Sequence, residues 1–395
     1  MIKKPIKGKN TIENVRENEF TIYFLPWAGT VIKKAIKIGP VTFWPYFSES
    51  NQRINNTKLR SYLDKFFKSY VDLQGKPVDT IVICSFDNKL FCQLTKSESN
   101  KLKEAINSLT FITIAPEVVS WICNNDLPPP ASNVFELLTF YSSPKKEYIT
   151  VKKSANASNS GLKIENLTFS RPLEASGKVW KLSKELIDGF NKCFSTRLPQ
   201  NERERLFRSL EWFKLAHVEG DQISDFSRTV MMVTAFEILF DFSEKDHNKS
   251  GKLAECIEKC IVAESSDPEQ FIKETHDIDD KKRSHRATYT LAGWWAWNFY
   301  KIRDKIVHGD LVSSSDLQYK GLFSQLVVAD LVFWECIKHE LFKYKCIGDK
   351  VRSSLKKINK TDSNESKKIE AIIIEYALGF DRVHETLGWL RKNRK

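Results

Sequence analysis

The strongest constraint on this chain lies in one stretch, Trp294-Trp295-Ala296-Trp297-Asn298-Phe299-Tyr300-Lys301-Ile302-Arg303-Asp304-Lys305-Ile306-Val307-His308-Gly309-Asp310. Trp295, Phe299, Ile302 and Ile306 recur at helical spacing, so the segment predicts a helix with one buried face. Gly309 is its natural stop, because glycine enters the left-handed conformation that closes a helix without a Cβ clash. An arginine, an aspartate and a histidine sit at that end.

Asp304 and His308 are four positions apart, so they stack on one face, and the carboxylate can orient the imidazole. Arg303 and His308 are five apart, about 140° around an ideal helix. They converge on one ligand only if the last turn unwinds or a second copy of the helix supplies the partner. The unit is therefore either an active site or a helix terminus. On the plainer reading, the histidine complements the helix dipole and bonds the last carbonyls, and the Arg-Asp neighbours form a solvated surface.

The segment Phe299 to Gly309 resembles the signature of HEPN domains, most closely the Apea-like HEPN branch. That pattern is an arginine, a polar residue, a few spacers and a histidine at a helix end, and Arg303, Asp304 and His308 match it residue by residue. Upstream, Ser227 to Phe240 is similar to the family's helix with an Ala-x-Glu-x-Leu core, and Glu237 matches its glutamate. The resemblance covers about residues 200–348.

The resemblance implies a helical bundle and a metal-independent endoribonuclease acting as a homodimer, in the manner of toxins and antiviral or abortive-infection effectors. Arg303, His308, Asp304 and Glu237 would then be catalytic, and Lys305, Arg286 and Lys301 would meet the substrate. The residue types suit the chemistry. RNA brings its own nucleophile, the 2′-hydroxyl. Histidine moves protons near neutral pH, and arginine offers a planar fork to phosphate oxygens. No cofactor and no metal site is expected. Glu237 lies among Phe236, Ile238, Leu239 and Phe240, so its carboxylate needs a partner, and Arg303 is the candidate. Glu237 could equally serve only to tie two helices together. Some HEPN domains bind nucleotides or partner proteins without cutting, which makes a non-catalytic binding module the alternative. A scaffold in which the motif is only a helix cap is a third reading.

Composition narrows the partners. With 395 residues the chain has room for two or three domains, and 41% hydrophobic residues supply a substantial core. The formal net charge of +12 fits a polyanion such as RNA, although excess lysine also serves solubility. Of the eight cysteines, only Cys256 and Cys260 are spaced like a ligand pair, and no second pair matches them. Buried reduced thiols are the expectation. The basic start, Met1 to Lys7, has no apolar segment after it, so no signal peptide is expected. No run approaches the roughly 18–20 apolar residues of a membrane span. A cytoplasmic protein that does not enter membranes follows.

Taken in order, the chain predicts an α+β protein. Residues 1–195 read as a mixed α/β sensor or regulatory domain of no recognised family, fit to bind an unidentified trigger. Strands are expected at Phe20–Leu25, Val31–Ile38, Gly39–Pro45, Asp79–Phe86 and Phe111–Ala115. Helices are expected at Asn56–Tyr70 and Glu98–Leu109. Further strands, at Glu147–Val151 and Leu162–Thr168, would flank a polar loop, Ser154–Gly161. Residues 196–348 form the expected all-α bundle, preceded by a helix at Lys184–Phe194. Its helices are Glu202–His217 (Leu206, Leu210, Phe213 and Leu215 inward), Asp221–Phe242, Ser250–Ala263, the motif helix and Ser315–Leu341. Asp277–Arg286 is a charged linker whose basic half could guide RNA. Residues 349–395 form a basic linker and a last helix, Lys368–Arg391.

Overall fold

Segments rich in β-branched and aromatic residues build an N-terminal sheet of strands β1 (Phe20–Leu25), β2 (Ile36–Ile38), β3 (Val41–Tyr46), β5 (Ile81–Phe86), β6 (Leu138–Ser142) and β7 (Thr150–Lys152), in the order β2-β3-β5-β1-β6-β7. The computed structural model describes residues 20–46, 54, 57–87, 89–124, 129–142, 150–152, 168–173, 182–195, 198–220, 223–261, 276–277, 288–289, 291–319 and 323–348. Every neighbouring pair in the six-stranded sheet is antiparallel, with Phe24 opposite Ile83 and Ile22 opposite Phe140. Two-residue strands β4 (Tyr70–Val71) and β8 (Phe169–Ser170) pair in parallel. Strand β5 is buried at all six positions. That explains its apolar run Ile81 to Cys84, because a strand covered on both faces loses the polar alternation.

Helix α1 (Thr57–Phe67) covers one face with aromatic rings. Phe66 stacks on Phe140 at 4.2 Å, and Phe24 meets Phe66 edge-on at 5.8 Å and Tyr70 at 5.5 Å. Such pairs add roughly 0.5–1.5 kcal/mol each beyond the area they bury.

The strand expected at Phe111–Ala115 is helix instead. Helix α2 runs without a break from Lys96 to Asn124, with Pro116 inside it. It starts on a reciprocal cap, in which Thr95 N donates to Glu98 Oε2 at 2.9 Å and Glu98 N donates to Thr95 Oγ1 at 3.2 Å. The β-branched residues that suggested a strand are accommodated by burial, and Thr110 and Thr113 return their hydroxyls to the carbonyls of Ile106 and Leu109 at 2.9 and 2.8 Å. Tertiary burial outweighs a weak local preference here.

The chain divides into two compact units, one of Met1–Lys103 with Asn133–Trp180 and one of Glu104–Ser132 with Lys181–Lys395. The expected boundaries fall after residue 348 and, nearer this division, after residue 195. The second unit also takes part of α2 and the helix before that boundary, because Phe111 packs within 6.1 Å of Phe190, Phe213, Phe333 and Trp334. The expected loop at Ser154–Gly161, the linker 278–286, most of the strand expected at Leu162–Thr168, and residues 349–395 lie outside the described residues.

The second unit is mostly helical, with two short antiparallel strand pairs. Its helices after α2 are α3 (Lys184–Phe194), α4 (Gln200–Ala216), α5 (Asp225–Leu239), α6 (Lys249–Ile261), α7 (Leu291–His308) and α8 (Gln325–Lys343). Helix α4 packs on α5, α6 packs on α7 and α8, and α5 packs on α7 and α8. The helix expected from Ser315 starts only at Gln325, and short strands at Gln318–Tyr319 and Phe323–Ser324 pair ahead of it. Ser324 caps the helix through its hydroxyl. Leu206, Leu210 and Phe213 face inward as expected, but Leu215 is exposed. It follows Phe213 by two positions, which on a helix is the opposite face.

Helix α8 is central, with buried residues around much of its circumference. Phe333 is fully buried, stacks on Phe213 at 5.3 Å and meets Phe236 edge-on at 5.2 Å. Its buried charges are paired, Asp330 with His217 Nε2 at 3.0 Å and Glu335 with Lys338 at 2.6 Å. Among the described residues no helix is long and apolar enough to cross a membrane. Phe333→Ala should cost about 3–5 kcal/mol in urea unfolding, as expected for an aromatic removed from a closed core. A cost below about 1 kcal/mol would show that α8 is not the centre of this unit.

Candidate active site at the end of helix α7

Helix α7 forms because one of its faces is apolar. Trp295 and Phe299 are fully buried and stack at 5.1 Å, with Tyr300 and Ile302 buried beside them. Trp295 Nε1 donates to Gln325 Oε1 at 2.8 Å, which ties α7 to the first turn of α8. Trp294 and Trp297 are half-buried against Ala254 of α6. The core position expected for Trp295 is what the structure holds.

The helix stops where the sequence says it should. Gly309 has φ +77°, Gly309 N donates to the carbonyl of Ile306, and Asp310 N donates to that of Lys305 at 2.9 Å. These two bonds make a Schellman closure. The last turn is therefore regular through His308. Within one chain Arg303 and His308 keep their wide angular separation.

Glu237, in the last turn of α5, is the centre of the site. Its Oε1 accepts a hydrogen bond from Tyr300 OH at 2.6 Å. Lys249 Nζ lies 3.9 Å from the same oxygen, and Arg303 Nη2 lies 3.9 Å from Oε2. The Glu237 side chain is 14% exposed, so three elements meet at a nearly desolvated carboxylate. Burial, followed by the bond to Glu237, pushes the Tyr300 hydroxyl well above its ordinary value of 10.0. Tyr300 is therefore a permanent donor.

Arg303 is held from several sides. Its Nη1 donates to Asp304 Oδ1 at 3.1 Å, and the guanidinium lies 5.5 Å from the centre of the Tyr300 ring. Its Nε is buried and has no hydrogen-bond partner among the described residues. His308 is exposed, with no hydrogen-bond or ion-pair partner among the described residues. The pairing expected between Asp304 and His308 is not formed. The Asp304 carboxylate is taken by Arg303, whose long side chain reaches its neighbour while the imidazole faces solvent at the helix end.

Of the expected substrate contacts, Lys305 is exposed beside His308, and Lys301 lies over the Trp297 ring at 5.3 Å. Arg286 falls outside the described residues. The sequence reading missed two participants, Tyr300 and Lys249. Tyr300 could have been suspected, since it precedes Arg303 by three positions on one helix. Lys249 is twelve residues beyond Glu237, and no spacing rule links them. Among the described residues no group of three or more His, Cys, Asp or Glu could hold a metal ion. The described cysteines are all free, and most are buried. No family model, curated protein or solved structure matches this chain.

Tyr300→Phe keeps the ring beneath Arg303 and removes the bond to Glu237. It should destabilise the protein by about 1.5–3 kcal/mol in urea unfolding, the range for a hydrogen bond to a charged group. Because the folded-state value of the hydroxyl is raised, this contribution is full below pH 10.0 and is lost as pH rises beyond it. The gap between wild type and variant should therefore narrow above pH 10.0. Equal stabilities at neutral pH would mean that the bond holds nothing.

Proposed function

We propose that this protein is a metal-independent endoribonuclease of HEPN type, working as a homodimer in a toxin-like or antiviral defence role. The motif resemblance supplies the family and the defence role. The observation that carries the chemical part is the state of Arg303 and His308. A guanidinium is braced by Glu237, Asp304 and the Tyr300 ring while its side chain stays partly open to solvent, and an unpaired imidazole faces solvent further along the helix end. The first group suits charge on phosphoryl oxygens, and the second suits proton transfer.

The RNA 2′-hydroxyl attacks the adjacent phosphorus, and its proton passes to a base. The leaving 5′-oxygen takes up a proton, and a 2′,3′-cyclic phosphate remains. His308 serves as base or acid, and Arg303 neutralises the phosphoryl oxygens. Since helix α7 stays regular to His308, an arginine from one protomer and a histidine from the other make a complete site when two motifs face across a two-fold axis. The net positive charge fits the substrate. Residues 1–195 would sense or restrain the activity in the cytoplasm. The second reading is a binding module that holds nucleotides without cutting, and it draws on Asp304, which pairs with Arg303 and leaves His308 unoriented.

RNA cleavage in the presence of EDTA decides between them. Arg303→Ala and His308→Ala should each lose roughly a hundredfold or more in rate. Mixing the two inactive variants and allowing subunits to exchange should restore about a quarter of wild-type activity, because half the dimers then carry one intact composite site. Undiminished cleavage by both variants would eliminate this site. RNA bound but left whole by the wild type would favour the binding module.

A further inference from the structure

Two cations flank the Glu237 carboxylate, and one of them comes from an element outside the motif. Lys249 opens helix α6 and faces Oε1, while Arg303 on α7 faces Oε2, each at 3.9 Å. That separation suits charge attraction but exceeds hydrogen-bond reach. Oε1 already receives the short bond from Tyr300. The Lys249 ammonium therefore has no hydrogen-bond partner among the described residues, and Arg303 Nη2 meets Glu237 only at the same longer distance. The Lys249 side chain is 29% exposed, so a ligand from solvent can reach it.

Nearby lysines are differently placed. Lys252 bonds Asp246 at 2.8 Å and lies over the Phe242 ring at 4.7 Å, and Lys301 lies over Trp297. Glu237 thus holds one cation against each of its two oxygens, each beyond hydrogen-bond distance. The group that completes such a pair carries negative charge and several acceptor oxygens, as a phosphodiester does. We propose that Lys249 and Arg303 jointly hold one backbone phosphate of an RNA strand, with Lys249 a substrate-binding residue supplied by α6. The identity of the polyanion rests on the ribonuclease reading. The pairing of the two cations rests on the geometry.

The test is binding of a labelled single-stranded RNA to the full chain, carrying His308→Ala to suppress turnover, across a potassium chloride series. Removing one phosphate contact lowers the slope of log affinity against log salt by about 0.7 for a single strand. Lys249→Ala should show that drop, Lys249→Arg should keep the parental slope, and Lys252→Ala should leave it unchanged. Lys249→Gln, which retains most of the stem, repeats the measurement if the alanine variant unfolds. A parental slope in Lys249→Ala and Lys249→Gln overturns the assignment while leaving the ribonuclease reading intact. If the parent shows no salt-dependent RNA binding, the ribonuclease reading itself falls, and this role with it.

Discussion

A carboxylate withdrawn from water must find partners, and the site at the end of α7 is arranged around that need. Glu237 lies in a helix whose neighbouring side chains are largely apolar, and its charge is met by a hydroxyl and two cations from two other helices. Taking away any one partner leaves the others to compensate a nearly buried charge. The carboxylate therefore fixes where Tyr300 and Arg303 stand, and with them the register of α7 against α5. Phe213, Phe236 and Phe333 provide the packing behind it.

The helix end imposes the second condition. A Schellman closure at Gly309 keeps the last turn wound, so the imidazole stays at the exposed tip while the guanidinium is drawn toward α5. A single regular helix therefore holds the guanidinium and the imidazole well apart around its axis. On the proposed reading, each group's counterpart comes from a second copy, and an isologous contact creates two complete sites at once. Val307 and Leu311 leave apolar surface exposed on either side of the histidine, beside the tip where such a contact would form.

Much of this was legible in the residues. Trp295, Phe299 and Ile302 announced a buried helical face, Gly309 announced its stop, and the isolation of Glu237 among apolar neighbours pointed to Arg303. Strands β1 and β3 were readable from their β-branched and aromatic content, and β5 from its short apolar run. Phe111–Ala115 was misread because β-branched residues in a short run do not reveal whether strand pairing or helical burial will satisfy them. Asp304 was misplaced because the four-residue rule ranks neighbours by backbone position and ignores the reach of arginine. Lys249 and Tyr300 meet Glu237 only through tertiary packing, which no local spacing encodes.

The central claim is that the substrate supplies its own nucleophile to a guanidinium–imidazole pair. The most direct measurement compares an RNA oligonucleotide with the same molecule bearing a single 2′-deoxy nucleotide on the 5′ side of the cut, both incubated with the protein in EDTA and analysed by mass spectrometry. The account predicts a 2′,3′-cyclic phosphate on the RNA product and no cleavage at the deoxy position. Equal cleavage of both molecules, or RNA that remains whole, would contradict it.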